Sequence, residues 1–255
     1  MNFVKIILLK FYSITLQNVF WHANSINMRF IPFILLFFIC CSKKSSNKTI
    51  NDDQDENDTI VHVEKLVSDI IHLLDSSFID IEILSNDFIF DLKYATSENF
   101  LNEPVYTCGS CFLRYSIAKK LALANEYFLS KGYKIKLFDC YRPLSVQKQM
   151  WEIMPDARYV ANPNTSTGSY HNRGAAVDIT LIDVNGNELD MGTPFDHFGE
   201  KSHFDFAELP AQVIANRIFL RDGMELAGFN GIRTEWWHFS TGNFPVSDQQ
   251  LCPEK

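Results

Sequence analysis

One carboxylate inside an apolar run constrains this chain more than any other feature of its sequence. Residues 175–182 read AAVDITLI, a composition typical of a β-strand, and Asp178 lies within that run. Burying a lone carboxylate among apolar side chains is costly, and a bound cation removes that cost. The sequence therefore predicts either a cation beside Asp178 or a turn that Asp178 caps.

Helices and strands follow one another in no regular order after residue 60. Apolar residues at helical spacing predict helices over residues 60–75, 116–131, 144–153 and 210–227. Alternating or β-rich runs predict strands over residues 81–94, 134–141, 175–182 and 233–240, and Asn185-Gly186 is typical of a hairpin turn. This mixture predicts an α+β domain around an antiparallel sheet.

Composition limits the class of protein. A chain of 255 residues, of which 46% are hydrophobic and 21% charged, is neither disordered as a whole nor a multi-span membrane protein. Its length fits one domain with a single core. The net charge of -8 argues against a nucleic-acid partner, because such proteins usually present a basic face.

The N-terminal segment has the pattern of a lipoprotein signal peptide. The string MRFIPFILLFFICC, which begins at Met28, has a basic residue, a short apolar run and two final cysteines. We predict a signal peptide over residues 1–41, with Met28 as an alternative start and Cys41 as the lipidated residue, although Cys40 also fits. The alternative is one uncleaved anchor that is broken at Pro32.

The rest of the chain divides into three parts. Residues 42–59 form a polar linker, residues 60–248 a folded domain and residues 249–255 a C-terminal tail. With a lipid as its only membrane attachment, the protein is expected in the cell envelope.

Two short segments carry more chemical groups than a core requires. The first, SYHNRGAAVD, ends at Asp178, and the second, EWWH, ends at His238. Zinc hydrolases use three protein ligands and a nearby base that accepts a proton from water. The candidate ligands are His171, Asp178 and His238, and the candidate base is Glu235.

The spacing allows these groups to meet. A bend at Gly174 can fold the chain so that His171 and Asp178 face one ion. Glu235 and His238 are three residues apart, so a regular strand would place them on opposite faces. We therefore predict a turn or bulge between them.

Each of these residues also has a purely structural explanation. An isolated histidine is more often a surface or capped residue than a ligand, and Glu235 could form a salt bridge with Arg233. Arg142 follows the strand that ends in FDCY and could stabilise an oxyanion, or it could be a surface arginine that fixes the turn before Pro143. Spacing alone leaves both explanations open.

Three motifs in order make the sequence recognisable. They are FDxYRP at residues 138–143, SxHxxGxAxD at residues 169–178 and EWWH at residues 235–238. With flanking matches such as KYAT at residues 93–96, they are similar to the zinc D-alanyl-D-alanine dipeptidases, the VanX-like family, from about residue 81 to residue 240.

The resemblance implies a fold, a cofactor and a reaction. The implied fold is a small α+β zinc peptidase domain with helices packed on a central antiparallel sheet, shared with D-Ala-D-Ala carboxypeptidases and the hedgehog signalling domain. One Zn²⁺ per chain would be held by His171, Asp178 and His238. The implied reaction is hydrolysis of D-alanyl-D-alanine to two D-alanines by metal-activated water. Export, which the signal peptide predicts, would give this reaction a role in cell-wall peptide turnover.

The resemblance also assigns roles to single residues. Glu235 matches the general base, and Arg142 matches the residue that polarises the scissile carbonyl and holds its oxyanion. Ser169, Asp196 and Tyr94 match positions that line the substrate pocket. Asp196, with Glu235, is suited to bind the free ammonium group of a dipeptide, which would exclude longer substrates.

Two rival functions are compatible with the same motifs. One is a peptidoglycan carboxypeptidase or endopeptidase that acts on longer stem peptides. The other is a non-catalytic, wall-binding lipoprotein, against which the presence of both Glu235 and Arg142 argues. The sequence does not indicate an oligomeric state.

The remaining cysteines are open to two explanations. In an oxidising compartment, one or two disulfides are expected, and buried thiols are the alternative. Half of a zinc ribbon, C-x-x-C, is present without a second C-x-x-C. The residues concerned are Cys108, Cys111, Cys140 and Cys252.

Overall fold

A computed structural model describes residues 65–85, 87–165 and 168–252 of the chain. The predicted signal peptide, with Cys41, and the predicted linker lie outside the described residues. Within the part that is described, no helix is both long enough and apolar enough to cross a bilayer.

The described chain contains four α-helices and seven strands. The helices are α1 (residues 65–76), α2 (Tyr115–Ser130), α3 (Leu144–Ile153) and α4 (Ala211–Leu226). The strands are β1 (Phe78–Asp80), β2 (Ile89–Phe90), β3 (Phe112–Arg114), β4 (Tyr133–Asp139), β5 (Ala176–Asp183), β6 (Asn230–Ile232) and β7 (Glu235–Ser240).

Five of these strands form the central sheet, in the order β2-β4-β5-β7-β6. Every pair in it is antiparallel except β2 with β4, which is parallel. Strands β1 and β3 form a separate antiparallel pair. The predicted α+β fold with helices on a mainly antiparallel sheet is therefore confirmed.

The side chains of β5 alternate between the hydrophobic core and the opposite face of the sheet. Val177, Ile179 and Leu181 are fully buried in the main hydrophobic cluster, together with Leu121 of α2 and Leu220 of α4. Because successive side chains of a strand point to opposite faces, Asp178 lies on the other face of the sheet.

The segment predicted as a long strand, residues 81–94, is mostly not a strand. Only Ile89–Phe90 pair with the sheet, while Ile81–Ile83 and Lys93–Ala95 are short 3-10 helices. The side chain of Asp80 accepts a hydrogen bond from the backbone N–H of Glu82 at 3.1 Å and starts the first of these turns. Local side-chain bonds of this kind compete with strand formation.

Helix α1 confirms the predicted N-terminal helix over its described residues but buries little of its apolar face. Leu66, Ile70 and Leu73 are among its large side chains that stay exposed. Its last turn contacts the domain, where Asp75 pairs with Lys119 of α2 at 2.7 Å.

Two disulfides resolve the alternatives for the cysteines. Cys108 is bonded to Cys252, and Cys111 is bonded to Cys140. Residue 252 is thereby joined to the loop that precedes β3, and that loop is joined to the end of β4. No cysteine among the described residues remains for a zinc ribbon.

Candidate active site

Three side chains converge on the face of the sheet opposite the helical core. Nδ1 of His238 lies 3.0 Å from Oδ1 of Asp178, and Nε2 of His171 lies 3.3 Å from the same oxygen. The two imidazole nitrogens are 3.1 Å apart. All three residues are buried, and one donor atom from each lies within 4.8 Å of the others.

The register of the sheet places two of these ligands together. Asp178 of β5 lies opposite His238 of β7 in the antiparallel ladder. Directly opposed residues on such strands have their Cβ atoms about 4.5–5.5 Å apart, which is close enough for both side chains to reach one ion. Asp139 of β4 lies opposite Asp178 on its other side.

The third ligand depends on a glycine bend. His171 belongs to the short 3-10 helix His171–Arg173, which ends at Gly174. Gly174 has a φ of +64°, and a Cβ there would collide with the ring of Phe78. A residue with a side chain is therefore disfavoured on two grounds. The bend returns the chain into β5 with His171 facing Asp178.

An irregularity between β6 and β7 meets the geometric requirement of the EWWH motif. Gly231 pairs with Phe239, but the next residue, Ile232, pairs with Glu235. Three residues of β7 therefore lie between the partners of two neighbouring residues of β6. Glu235 and His238 consequently line the same cavity, as the predicted turn or bulge required.

The donor set fits a divalent metal of the zinc type. Burial opposes the charge of Asp178, but His171 and His238 hold its pKa below the ordinary value. The other ring nitrogen of His171, Nδ1, lies 2.7 Å from the carbonyl oxygen of Cys140. Such a bond orients a metal-binding histidine, and two imidazoles with one carboxylate are donors that zinc prefers.

All the residues predicted as ligands, base, oxyanion donor and pocket lining meet in one cavity of about 200 Å³. They are Tyr94, Arg142, Ser169, His171, Asp178, Asp196, Glu235 and His238. Aromatic side chains form part of the wall, with the ring of Phe198 centred 5.0 Å from Phe100 and 4.6 Å from Tyr159.

Glu235 lies in the same cavity as the three candidate ligands. Burial raises its pKa to about 7, and the neighbouring His238 opposes that rise. A carboxyl group with this pKa exchanges protons readily at neutral pH. Among the described contacts, Arg233 binds Asp205 and His203 instead, so the salt bridge between Glu235 and Arg233 is not formed.

Arg142 is buried and fully oriented, so the alternative of a surface arginine is wrong. Its Nε and one terminal nitrogen contact Oδ2 of Asp139 at 3.2 and 2.5 Å. Its other terminal nitrogen donates to Oε1 of Gln147 at 2.8 Å. Burial opposes the charge, but Asp139 keeps the pKa of Arg142 well above its ordinary value.

A third carboxyl group, that of Asp196, lines the cavity together with Asp178 and Glu235. The hydroxyl of Tyr94 donates to Oδ2 of Asp196 at 2.8 Å. Burial raises the pKa of Asp196 to about 8, although the bond from Tyr94 opposes the rise. Ser169 also lines the cavity, and its Oγ accepts a hydrogen bond from the backbone N–H of His171 at 3.2 Å.

Sequence reasoning gave no role to several residues of the site. Asp139 lies inside the FDCYRP string, and its carboxylate at the end of an apolar strand was the available signal. Gln147 and the aromatic wall residues Phe100, Tyr159 and Phe198 come from separate loops and helices. No local pattern marks them, because only the tertiary fold brings them together.

Sequence comparisons relate this chain to known proteins. The chain matches the family Peptidase_M15, D-ala-D-ala dipeptidase, over residues 75–255. The D-alanyl-D-alanine dipeptidase of Escherichia coli (strain K12) is 34% identical over 181 residues, which are 69% of this chain and 93% of the relative. The enzyme of the same name from Enterococcus faecium is 31% identical over 169 residues, or 59% and 84% of the two chains.

One solved structure has a weaker similarity to this chain. It is a vancomycin-resistance D,D-pentapeptidase, VanY, in complex with Zn(II), with 15% sequence identity and a TM-score of 0.33. The alignment covers 53% of this chain and 75% of that one.

Proposed function

The chain belongs to the D-Ala-D-Ala dipeptidase family and is a zinc metallopeptidase, and we propose that it hydrolyses D-alanyl-D-alanine to two D-alanines. One observation supports the proposal above the others. Glu235, Arg142 and Asp196 line the same small cavity as the three candidate ligands, so a proton acceptor, an oxyanion donor and an ammonium acceptor face one substrate.

His171, Asp178 and His238 would hold the metal. When bound, zinc supplies a Lewis acid that polarises a carbonyl group and makes water a better nucleophile. Glu235 would accept a proton from the attacking water. In the second half of the reaction, the same carboxyl group donates the proton to the leaving amine.

Arg142 would stabilise the charge that develops on the carbonyl oxygen. Asp139 and Gln147 hold part of its guanidinium, and the group lines the cavity. A cation that is oriented before the reaction stabilises an oxyanion without the cost of reorganisation. The bonds of Arg142 to Asp139 therefore favour catalysis and also stabilise the buried charge of the guanidinium group.

Asp196 would select substrates with a free amino terminus. A cationic ammonium group stabilises the ionised form of this carboxyl, which burial otherwise keeps protonated. A blocked or extended amino terminus would bring no charge and would need more space. The site thus favours a dipeptide over a longer peptide.

The test is release of D-alanine from D-Ala-D-Ala by the purified full chain loaded with zinc. We expect activity that chelation removes and that Glu235→Gln reduces by at least about a hundredfold. The matched control is Glu152→Gln, because Glu152 is an exposed glutamate of α3 outside the cavity. Equal activity of both variants would contradict the role of Glu235.

The blocked substrate N-acetyl-D-Ala-D-Ala separates the proposed function from its main rival. A dipeptidase should leave it intact, whereas a carboxypeptidase should cleave it. Absence of hydrolysis of either compound by folded, zinc-loaded protein would instead favour a wall-binding role.

We propose in addition that the mature protein is lipid-anchored in the cell envelope through Cys41 and acts in cell-wall peptide turnover. The sequence pattern before Cys41 supports this location, and so do the two disulfides, because such bonds persist in oxidising compartments. Metabolic labelling with an alkyne fatty acid tests it. Label should be lost in Cys41→Ser and retained in Cys40→Ser, and the reverse result would move the anchor to Cys40.

A further inference from the structure

The orientation of Arg142 depends on a single carboxylate, Asp139. Oδ2 of Asp139 contacts both Nε and a terminal nitrogen of Arg142. Asp139 is fully buried at the end of β4. Because water does not reach it, its direction is set entirely by the groups that surround it.

Asp139 also has a competing partner. Nδ1 of His171 lies 3.4 Å from the same Oδ2, although it is closer to the carbonyl oxygen of Cys140, at 2.7 Å. A modest rotation of the carboxylate would exchange its bond with Arg142 for one with His171. Such a rotation would release the oxyanion donor from its bond with Asp139.

The other carboxylate oxygen prevents this rotation. Oδ1 of Asp139 accepts a hydrogen bond from the hydroxyl of Tyr106 at 2.6 Å and another from the backbone N–H of Cys140 at 2.8 Å. These two donors fix the plane of the carboxylate, so that Oδ2 stays directed at Arg142. We infer that Tyr106 is a positioning residue for Arg142, acting through Asp139.

The loop that carries Tyr106 is held firmly enough for this role. The backbone N–H of Tyr106 donates to the carbonyl oxygen of Tyr94 at 2.9 Å, and the two rings are in edge contact at 5.9 Å. Two residues further on, Cys108 is bonded to Cys252. The hydroxyl therefore has a defined position relative to β4.

The inference rests on the proposed function, because it assigns a residue to the same reaction. Its test is Tyr106→Phe in the full chain, which removes one hydroxyl and keeps the ring. We expect kcat for D-Ala-D-Ala to fall at least about tenfold, as a loosened catalytic group does, with KM within about twofold. The zinc content and the melting temperature should stay close to those of the wild type.

A matched control is Tyr141→Phe. Tyr141 lies two residues after β4, is buried, and its hydroxyl donates to a backbone carbonyl, that of Gln249, at 3.1 Å. It does not line the cavity. We expect kcat of this variant to be unchanged, so that loss of a hydrogen-bonded tyrosine hydroxyl as such is separated from loss of the bond to Asp139.

A double-mutant cycle distinguishes positioning from general damage. In the Arg142→Ala background, Tyr106→Phe should lower kcat no further, because the residue it positions is gone. Equal fold losses in both backgrounds, or similar activities of Tyr106→Phe and Tyr141→Phe, would overturn the inference and leave the proposed function intact. A wild-type protein without dipeptidase activity would instead overturn the proposed function, and the inference with it.

Discussion

Asp178 and His238 face each other across β5 and β7, with Oδ1 and Nδ1 3.0 Å apart. The contact is part of the strand register, since a shift of one residue would turn either side chain to the other face of the sheet. Their relative position is thus set by the core residues of the two strands. The metal site should consequently contribute to stability as well as to chemistry.

Removal of zinc should lower the melting temperature. Zinc that binds only the folded protein stabilises it by about 3 kcal/mol at a free concentration a hundredfold above Kd, which corresponds to several degrees for a domain of this size. Thermal unfolding with added zinc and with chelator measures the difference. In Asp178→Asn the response should largely disappear, and an unchanged response in that variant would contradict its role as a ligand.

Much of the site could be predicted because its residues lie in short, ordered motifs. The ligands and Glu235 come from two segments whose polar residues interrupt apolar strands, and the need for an irregularity at Trp236-Trp237 followed from strand geometry. The bond between Tyr106 and Asp139 could not be predicted, because it joins residues 33 apart that no periodicity links.

The fold was predictable where apolar spacing was strong and failed where local polar bonds dominated. Helix α3 begins and ends at the predicted residues. The expected strand over residues 81–94 gave way to two 3-10 turns, the first of them capped by Asp80. The spacing of apolar residues predicts on which face of a helix or strand a side chain lies. It does not show which hydrogen bonds that side chain can form with nearby backbone groups.

Substrate binding should weaken as pH falls, because of Asp196. Burial raises its pKa to about 8, so in the substrate-free protein the group holds a proton below that pH. The ammonium group of a dipeptide requires the carboxylate, so binding must release this proton. The positive charge of bound zinc lowers the pKa of Asp196. The affinity for the dipeptide should therefore decrease as the pH falls, beginning at pH 8 or somewhat lower.

Calorimetry of D-Ala-D-Ala binding to the inactive Glu235→Gln variant measures this effect. Buffers of different ionisation enthalpy should report release of up to one proton per dipeptide bound. The added change Asp196→Asn should weaken binding and abolish the proton release. Release of the same size in the double variant would assign the proton to another group.

The two disulfides should affect the protein differently. Cys108–Cys252 closes a separation of 144 residues and Cys111–Cys140 one of 29, so loop entropy predicts that the first stabilises by about 1.4 kcal/mol more. Cys140, however, directly follows Asp139. Replacing Cys111 and Cys140 by serine should therefore lower kcat more, and replacing Cys108 and Cys252 should lower the free energy of unfolding more.

Urea unfolding and steady-state kinetics of the two double-serine variants make this comparison. Treatment of the wild type with a water-soluble phosphine, which reduces each bridge to two thiols and does not chelate zinc as a dithiol would, should combine both losses while the zinc content is retained. If the larger losses of kcat and of stability fell on the same variant, the separate roles of the bridges would be wrong.

Gly174→Ala should damage both the fold and the site. The residue has a φ of +64°, and the new methyl group would collide with the ring of Phe78, so we expect a loss of about 2–4 kcal/mol in the free energy of unfolding. Gly186→Ala is the matched control. Gly186 has a φ of +84° but nothing within 4 Å of the added carbon, so its loss should be about 1 kcal/mol.

The activities of these two variants complete the argument. Gly174 joins His171 to β5, so moving the bend displaces a metal ligand, and zinc affinity and kcat should fall in Gly174→Ala even at temperatures where it is fully folded. Gly186 lies in the turn after β5, away from the cavity, and Gly186→Ala should retain both properties. Similar zinc affinities in the two folded variants would mean that the bend at Gly174 serves stability alone.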